Sequence, residues 1–221
     1  MSNTKFGDGH SEGLAELIRQ KVEPPPMYKV VLHNDDYTSV VNGRNYERLQ
    51  GSLADAKEKG AELIEVNPGG EDFTASNGNK MPLTIVRGVN DDMKVMQEEI
   101  FGPILPIRGY AALDDAIAHV ERHDRPLALY PFSHDRGRVE KILRHTLAGG
   151  VTVNDTVLHF GINALPFGGI GPSGMGAYHG RAGFDAMSKA LPVLWQPRRA
   201  GSDLLKPPYS KVARFIDFII R

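Results

Sequence analysis

The stretch LDDAIAHVERHDRPLALYPFSHDRGRVEKILRHTLAGGVTV, residues 113–153, alternates between helical and strand-like hydrophobic patterns. Apolar side chains recur at helical spacing over 113–120, and the near-continuous apolar run at 126–132 is typical of a strand covered on both faces. A second helical pattern follows at 139–147, and a strand resumes at 151–153. This alternation predicts an α/β fold with a mostly parallel sheet flanked by helices.

The same alternation extends toward the N-terminus. Apolar residues spaced three or four apart predict a helix that ends near Gly60, and these residues are Tyr46, Leu49, Leu53 and Ala56. Strands are expected at 61–66 and 83–86, with a loop between them at 67–80 because that segment is rich in Gly and Asn. We therefore expect the α/β arrangement to run through most of the chain.

The composition is that of a folded globular protein. The chain has 221 residues, of which 41% are hydrophobic and 24% charged, and 26 basic residues nearly balance 27 acidic ones. No basic field attracts nucleic acid and no apolar run is long enough to span a bilayer, so we expect neither nucleic-acid binding nor a membrane span. The polar first residues lack a signal-peptide pattern, which favours the cytoplasm.

The chain contains no cysteine. Within these residues this excludes disulfides, cysteine-ligated zinc, iron–sulfur clusters and a thiolate nucleophile.

Two short patterns resemble ligand-binding motifs but lack the required context. GIGPSG at 169–174 matches the dinucleotide-binding glycine pattern, yet Pro172 lies within it and no acidic residue follows at the spacing that binds a ribose. We expect a glycine-rich loop there. His119 and His123 have a metal-ligating spacing on the predicted helix, but the order HVERH differs from HExxH. We expect both histidines on a solvated face and predict no metal site.

Four segments together carry a resemblance to a known family. They are MQEEIFGPILPI (96–107), RPLALYPFS (125–133), GGVTVND (149–155) and LPFGGIGPSGMGAYHG (165–180). In this order they resemble aldehyde dehydrogenases, in particular the branch that acts on coniferyl and fatty aldehydes. The resemblance implies the C-terminal part of that family's catalytic domain, and with it the NAD- or NADP-dependent oxidation of an aldehyde to a carboxylic acid.

The resemblance also implies roles for individual residues. Glu99 would bind the hydroxyls of the nicotinamide ribose, and Phe101 would pack near the nicotinamide ring. Asn154, Phe160 and Phe167 would lie along the apolar pocket that receives the aldehyde. The expected cofactor is therefore NAD or NADP, and the expected substrate is an aldehyde.

One departure from the family decides the expected activity. In aldehyde dehydrogenases a cysteine thiolate attacks the aldehyde and a glutamate acts as general base, and both precede the part matched here. Because the chain has no cysteine, we expect it to be inactive alone. LPVLWQP at 191–197 resembles the family's oligomer-forming strand, which implies a homo-oligomer or docking on an intact dehydrogenase subunit.

The head of the chain resembles a different family. An amphipathic run near 14–18 is followed by the prolines at 24–26, and PPPMYKVVLHNDDYT (24–38) is similar to the start of the Clp protease adaptor for N-degron substrates. By that resemblance Asn34 and Asp35 would bind the α-amino group of a peptide. Peptide binding is therefore the alternative function.

The two resemblances divide the chain into three parts. Residues 1–38 form an adaptor-like segment of helix, linker and strand, 39–200 form the aldehyde dehydrogenase part, and 201–221 form a tail. Asp36-Tyr37-Thr38 suits both families, which leads to the hypothesis of a reading frame that joins two genes. Amplification of the genomic junction distinguishes a real fusion from a deletion or assembly artefact.

Overall fold

The computed structural model describes residues 5–8, 32, 34, 36–73, 78–198, 216 and 220. The helix expected near 14–18 lies outside these residues. The chain divides into two compact units, Met1–Ala186 and Met187–Arg221. All the strands and the helices named below belong to the first unit.

A four-stranded sheet forms the centre of that unit. Its strands are β1 (Lys5–Asp8), β2 (Glu62–Val66), β3 (Leu83–Arg87) and β4 (Ile104–Tyr110), in the spatial order β1-β4-β3-β2. β4 pairs in parallel with β1 and β3, so that Ile107 lies opposite Lys5 on one side and Arg87 on the other. β2 pairs antiparallel with β3. The predicted mostly parallel sheet is confirmed, with an antiparallel strand at one edge.

Sequence patterns predicted neither β1 nor β4. The segment ILPIRGY of β4 contains Pro106 and Gly109, and both residue types are depleted in strands. Pro106 is nevertheless almost fully buried, opposite Val86 of β3. β1 comes from the short segment KFGD. Pairing with neighbouring strands rather than local propensity decides both elements, and single-sequence patterns do not report such pairing.

Helix α1 (Gly43–Glu58) packs on the larger of two hydrophobic clusters. Its N-terminus is capped by the side chain of Asn42, which accepts a hydrogen bond from the backbone N–H of Asn45 at 2.9 Å. Beyond its C-terminus Gly60 has a φ of +91°, a conformation that glycine adopts without strain. The predicted apolar stripe is confirmed, since Leu49, Leu53 and Ala56 are buried.

The two clusters lie on opposite faces of the sheet. The larger includes Leu49, Met81, Val86, Met93 and Ile100. The smaller consists of the buried residues Val66, Ile85 and Ile107. Successive residues of a strand point to opposite faces, which is why neighbours such as Ile85 and Val86 belong to different clusters. The larger cluster reaches Ile100 and so extends into the EEIFGP segment.

Helix α2 (Lys94–Gln97) precedes β4, and helix α3 (Leu113–Arg122) follows it. The helix predicted at 113–120 is confirmed, and Ala116 and Ile117 are buried as their spacing indicates. His119 is also buried, with 4% of its surface exposed, so the prediction of a solvated face for it was wrong. The fold brings Asp91 to within 3.7 Å of its Nδ1, a polar neighbour that helical periodicity does not reveal.

A second sheet pairs two short strands in parallel. These are β5 (Ala128–Leu129) and β6 (Gly150–Val151), connected through helix α4 (Arg136–His145). The strands are shorter than predicted, but backbone hydrogen bonds join the two segments over a longer stretch. At one end Gly149 N donates to Pro126 O at 3.0 Å, and at the other end Asn154 N donates to Pro131 O at 2.8 Å. The two prolines have no N–H to donate, which limits the regular ladder.

Two short helices complete the first unit, α5 (Leu158–Gly161) and α6 (Gly180–Ala186). In the second unit, residues 191–197 form neither helix nor strand, and Leu194 and Trp195 are 90% and 88% exposed. Over the residues that the structure describes, no helix combines the length and the hydrophobicity that crossing a lipid bilayer requires.

Candidate functional site

Glu99 and Phe101 lie on a turn between α2 and β4. Both side chains are exposed, Phe101 to 71%, whereas Ile100 between them is 2% exposed and packs in the larger cluster. Phe101 has a φ of +47°, a left-handed conformation that costs a residue with a Cβ roughly 1–2 kcal/mol. The turn therefore exposes a carboxylate and an aromatic ring while its middle residue anchors it in the core.

Arg48 of α1 fixes the backbone of this turn. Its Nη1 donates to the Glu99 carbonyl at 3.2 Å, and its Nη2 donates to the Ile100 carbonyl at 2.7 Å. Its guanidinium also lies 3.7 Å from the Glu98 carboxylate. A planar guanidinium with several fixed donors suits two successive carbonyl acceptors. Sequence reasoning missed Arg48, because only the fold brings it to residues 51 and 52 positions away.

Gly102 allows the turn to approach α1 closely. A Cβ at this position would overlap with Cδ1 of Leu49, a side chain that is fully buried. On the sheet side of the turn, the backbone N–H of Thr84 donates to the Pro103 carbonyl at 2.8 Å. Contacts from α1 and from β3 therefore hold the turn on two sides.

Asn154 lies just after β6 and joins two loop ends. Its Oδ1 accepts from the Ser133 backbone N–H at 2.7 Å, and its Nδ2 donates to the Ser133 carbonyl at 3.1 Å. Its φ is +59°, which asparagine adopts more readily than most residues. It also borders a cleft of about 340 Å³ whose walls combine the charged residues Arg136 and Glu140 with the apolar residues Val139 and Val153.

Phe160 and Phe167 belong to a group of contacting rings. Their centroids are 6.0 Å apart, and Phe167 also meets Tyr178 edge-on at 5.4 Å and stacks on His179 at 6.0 Å. Phe167 and Tyr178 exchange two backbone hydrogen bonds of 2.9 Å. Half of the Phe160 surface is exposed, so the group presents an apolar ring to solvent.

His159 supports this aromatic group from the interior. Its Nδ1 lies 2.9 Å from the Thr152 hydroxyl, and its ring centroid lies 5.9 Å from that of Phe167. The ring passes over Gly150, where a Cβ would overlap with it. Sequence reasoning did not single out His159, although its place beside an apolar residue in LHFG is consistent with burial.

The fold brings some of the expected site residues together. Glu99 and Phe101 share one turn, and Phe160 contacts Phe167. Among the described residues, no hydrogen bond or ring contact joins the first pair to the second. The roles of these residues, and of Asn154, at a cofactor or substrate stay predictions.

The glycine pattern at 169–174 forms a loop, as predicted. The backbone N–H of Gly174 donates to the Gly171 carbonyl at 3.0 Å, and that of Ile170 donates to the Ser173 hydroxyl at 2.9 Å. Helix α6 begins only at Gly180, so no helix N-terminus follows the pattern directly as a phosphate site requires.

The described part of the head is hydrogen-bonded to the segment before β3. Lys80 Nζ donates to the Asn34 carbonyl at 2.7 Å, and Tyr37 Oη donates to the Met81 carbonyl at 2.8 Å. The Asn34 side-chain oxygen accepts from the Asp36 N–H at 2.9 Å, so it is engaged in a local turn. Asp35 lies outside the described residues.

Comparison with known proteins gives a family match and close relatives. The family model described as "Aldehyde dehydrogenase family" matches residues 10–191. A probable coniferyl aldehyde dehydrogenase of Caulobacter vibrioides is 48% identical over 189 residues, which are 85% of this chain and 39% of the relative. A coniferyl aldehyde dehydrogenase of Pseudomonas sp. is 46% identical over 186 residues, 84% of this chain and 39% of the relative. The chain thus spans 39% of the length of each of these two relatives.

Solved structures agree with the fold. Staphylococcus aureus AldH in a substrate-bound state superposes with a TM-score of 0.74 at 33% identity, over 96% of this chain and 45% of that chain. An oxidoreductase from Marinobacter aquaeolei superposes with a TM-score of 0.66 at 27% identity, over 82% of this chain and 37% of that chain.

These comparisons do not support the adaptor resemblance of the head. The family match begins at residue 10, inside the segment that the resemblance assigns to an adaptor. The match over residues 10–191, the coniferyl aldehyde dehydrogenase relatives and the superposition on AldH agree with one another. The chain therefore belongs to the aldehyde dehydrogenase family.

Proposed function

We propose that this chain supplies the C-terminal part of a catalytic domain that oxidises an aldehyde to a carboxylic acid with NAD or NADP. The observation that carries the proposal is the turn at 98–103, which exposes the Glu99 carboxylate and the Phe101 ring while Arg48, Leu49 and Ile100 hold its backbone. The family match supports the same reading.

The turn fits a nicotinamide cofactor chemically. An exposed carboxylate accepts hydrogen bonds from the two hydroxyls of a ribose, and charge-assisted bonds of this kind are stronger than neutral ones. The Phe101 ring offers a flat apolar surface for the nicotinamide. When bound, the cofactor would accept the hydride, while the residues of this chain orient it. In this proposal Glu99 fixes the ribose and Phe101 limits where the ring can lie.

The aromatic group is the proposed aldehyde side of the site. Phe160 presents its ring to solvent, and Phe167 is held behind it by Tyr178 and His159. Flat rings of this kind select an aldehyde by shape and exclude water. The relatives named for coniferyl aldehyde make an aromatic aldehyde the first substrate to test. Asn154 positions the nearby loop through Ser133 in this proposal.

The group that attacks the aldehyde has to come from outside the 221 residues of this chain. The family's covalent route needs a thiolate, and the chain contains no cysteine. We therefore propose that the chain is inactive alone and becomes catalytic only when another segment supplies the thiol and the general base.

A chimera tests this function directly. Residues 39–198 of this chain replace the corresponding segment of the Caulobacter vibrioides relative, which retains its own remaining residues. We expect coniferyl aldehyde-dependent NADH formation. Glu99→Gln in the chimera should raise KM for NAD roughly tenfold or more, since a bond to a charged acceptor contributes about 1.5–3 kcal/mol.

The control is Glu121→Gln, which neutralises an exposed carboxylate on α3 and should leave KM for NAD unchanged. A folded, cofactor-binding chimera without activity would contradict the proposed function. A KM for NAD in Glu99→Gln that matches the parent would contradict only the ribose role.

We also propose that residues 191–197 mediate association with a second subunit. Leu191, Val193, Leu194 and Trp195 are all exposed within seven residues, and an exposed apolar stretch of this kind is typical of an interface. Trp195 is the single tryptophan, so its emission reports the environment of this segment alone. Dilution should shift the emission to longer wavelength as the subunits separate, and concentration-independent emission would contradict the proposal.

A further inference from the structure

Three potential metal ligands converge beside β4, on elements that the proposed function does not use. Asp91 lies after β3, His119 lies on α3, and His123 directly follows α3. One ligand atom from each residue lies within 4.8 Å of those of the other two. The centroids of the two histidine rings are 4.2 Å apart.

The hydrogen bond that His123 makes leaves its other ring nitrogen available for a metal. Its Nδ1 lies 2.7 Å from the His119 carbonyl, which can only accept, so Nδ1 carries the proton. The proton-free nitrogen is then Nε2, and its lone pair is available to a ligand. At metal sites, the ring nitrogen of a ligating histidine that does not bind the metal usually donates a hydrogen bond, which fixes the tautomer.

His119 is the buried member of the cluster, with 4% of its surface exposed. Its Nδ1 faces the Asp91 carboxylate at 3.7 Å.

Arg108 of β4 orients the carboxylate. Its Nη1 is hydrogen-bonded to Oδ1 of Asp91, and Gln97 holds the Asp91 carbonyl at 2.8 Å. Carboxylates that bind metals are commonly hydrogen-bonded by a neighbouring group in this way. Arg108 and Arg122 both carry positive charge near His119 and so weaken the attraction of a cation.

We propose that Asp91, His119 and His123 form a binding site for one divalent transition-metal ion, with Zn²⁺ as the best match. Two imidazoles and one carboxylate are a common zinc ligand set, and water completes the coordination. Zinc–ligand bonds of about 2.0–2.2 Å require the ligand atoms to approach to roughly 3.4 Å of one another. The exposed Asp91 and the half-buried His123 can make that adjustment, since neither is packed in the core.

Isothermal titration of the full chain with ZnCl₂ tests the site. We expect one Zn²⁺ to bind per chain, and His123→Gln to raise the Kd at least about tenfold, as loss of a ligand or its support does elsewhere. The matched control is His145→Gln. His145 likewise ends a helix with its Nδ1 2.8 Å from the carbonyl four residues before it, but it is not part of the cluster.

A second variant and a second readout keep the test independent of stability. Asp91→Asn keeps the side-chain shape and removes the charge, and its far-UV circular dichroism establishes that it folds. Co²⁺ bound by the parent should give the intense visible absorption of a tetrahedral site, and both His123→Gln and Asp91→Asn should lose it. The proposal is overturned if the parent binds no Zn²⁺. It is also overturned if the Kd of His123→Gln for Zn²⁺ equals that of the parent and of His145→Gln. Aldehyde oxidation plays no part in these readouts.

Discussion

The guanidinium of Arg48 holds the backbone of Ile100, with Nη2 donating to its carbonyl at 2.7 Å. The same group reaches the Glu99 carbonyl, and the next residue of the helix, Leu49, closes on Gly102. Helix α1 therefore determines the path of the turn from which Glu99 and Phe101 project.

Removing the Arg48 guanidinium should destabilise the chain. Arg48→Met keeps the aliphatic part of the side chain but leaves the Glu99 and Ile100 carbonyls without their donors. We expect the free energy of unfolding to fall by about 1–3 kcal/mol. Urea denaturation measures it. Arg44→Met, an exposed arginine on the same helix, should change stability by less than about 0.5 kcal/mol. Equal losses in the two variants would contradict a specific role for Arg48.

Gly102→Ala should destabilise through overpacking. The added methyl meets the buried Leu49 side chain, and forcing a methylene into a packed core costs typically about 1–3 kcal/mol. Gly109→Ala is the matched control, because a Cβ there meets nothing within 4 Å. In the double variant with Leu49→Ala the two losses should be less than additive, since the clash is relieved. Strict additivity in thermal or urea unfolding would count against the contact.

Substitutions of Asn154 should separate backbone conformation from side-chain bonding. Glycine and alanine both remove the two bonds to Ser133, but only glycine adopts a φ of +59° without strain. We therefore expect Asn154→Ala to be less stable than Asn154→Gly by about 1 kcal/mol. Differential scanning calorimetry of the two variants gives the comparison. A glycine variant that melts at or below the alanine variant would show that the left-handed conformation is not a constraint.

Tyr37 should make stability fall at alkaline pH. Burial raises its pKa to about 12, while in the unfolded chain it titrates near 10. The folded state thus retains the proton that the unfolded state has lost. The contribution is complete below about pH 10 and disappears as the pH rises to about 12. Tyr37→Phe removes the bond to Met81 and this part of the pH dependence. Urea midpoints across that interval should converge for the two proteins, and parallel curves would contradict the assignment.

Part of the fold follows from periodicity in the sequence. Helix α1 was predictable because four apolar residues repeat at helical spacing and Gly60 marks its end, whereas its N-cap Asn42 became evident only from the structure. β4 was not, because Pro106 and Gly109 interrupt the strand pattern, and only pairing with β3 and β1 compensates for them.

The residues of the candidate site show the same division. Glu99 and Phe101 could be named because their motif resembles a family. Arg48 could not, since its acceptors are more than fifty residues away in sequence. The burial of His119 was likewise hidden, because its polar neighbour Asp91 comes from another element.

The most direct test of the central claim is an assay of the purified full chain with coniferyl aldehyde and NAD, monitored by NADH absorbance. Without a thiol in the chain, we expect no aldehyde-dependent NADH formation above the protein-free rate. Turnover on the order of 1 s⁻¹ or faster, retained after removal of host enzymes, would contradict this expectation and would require a different attacking side chain.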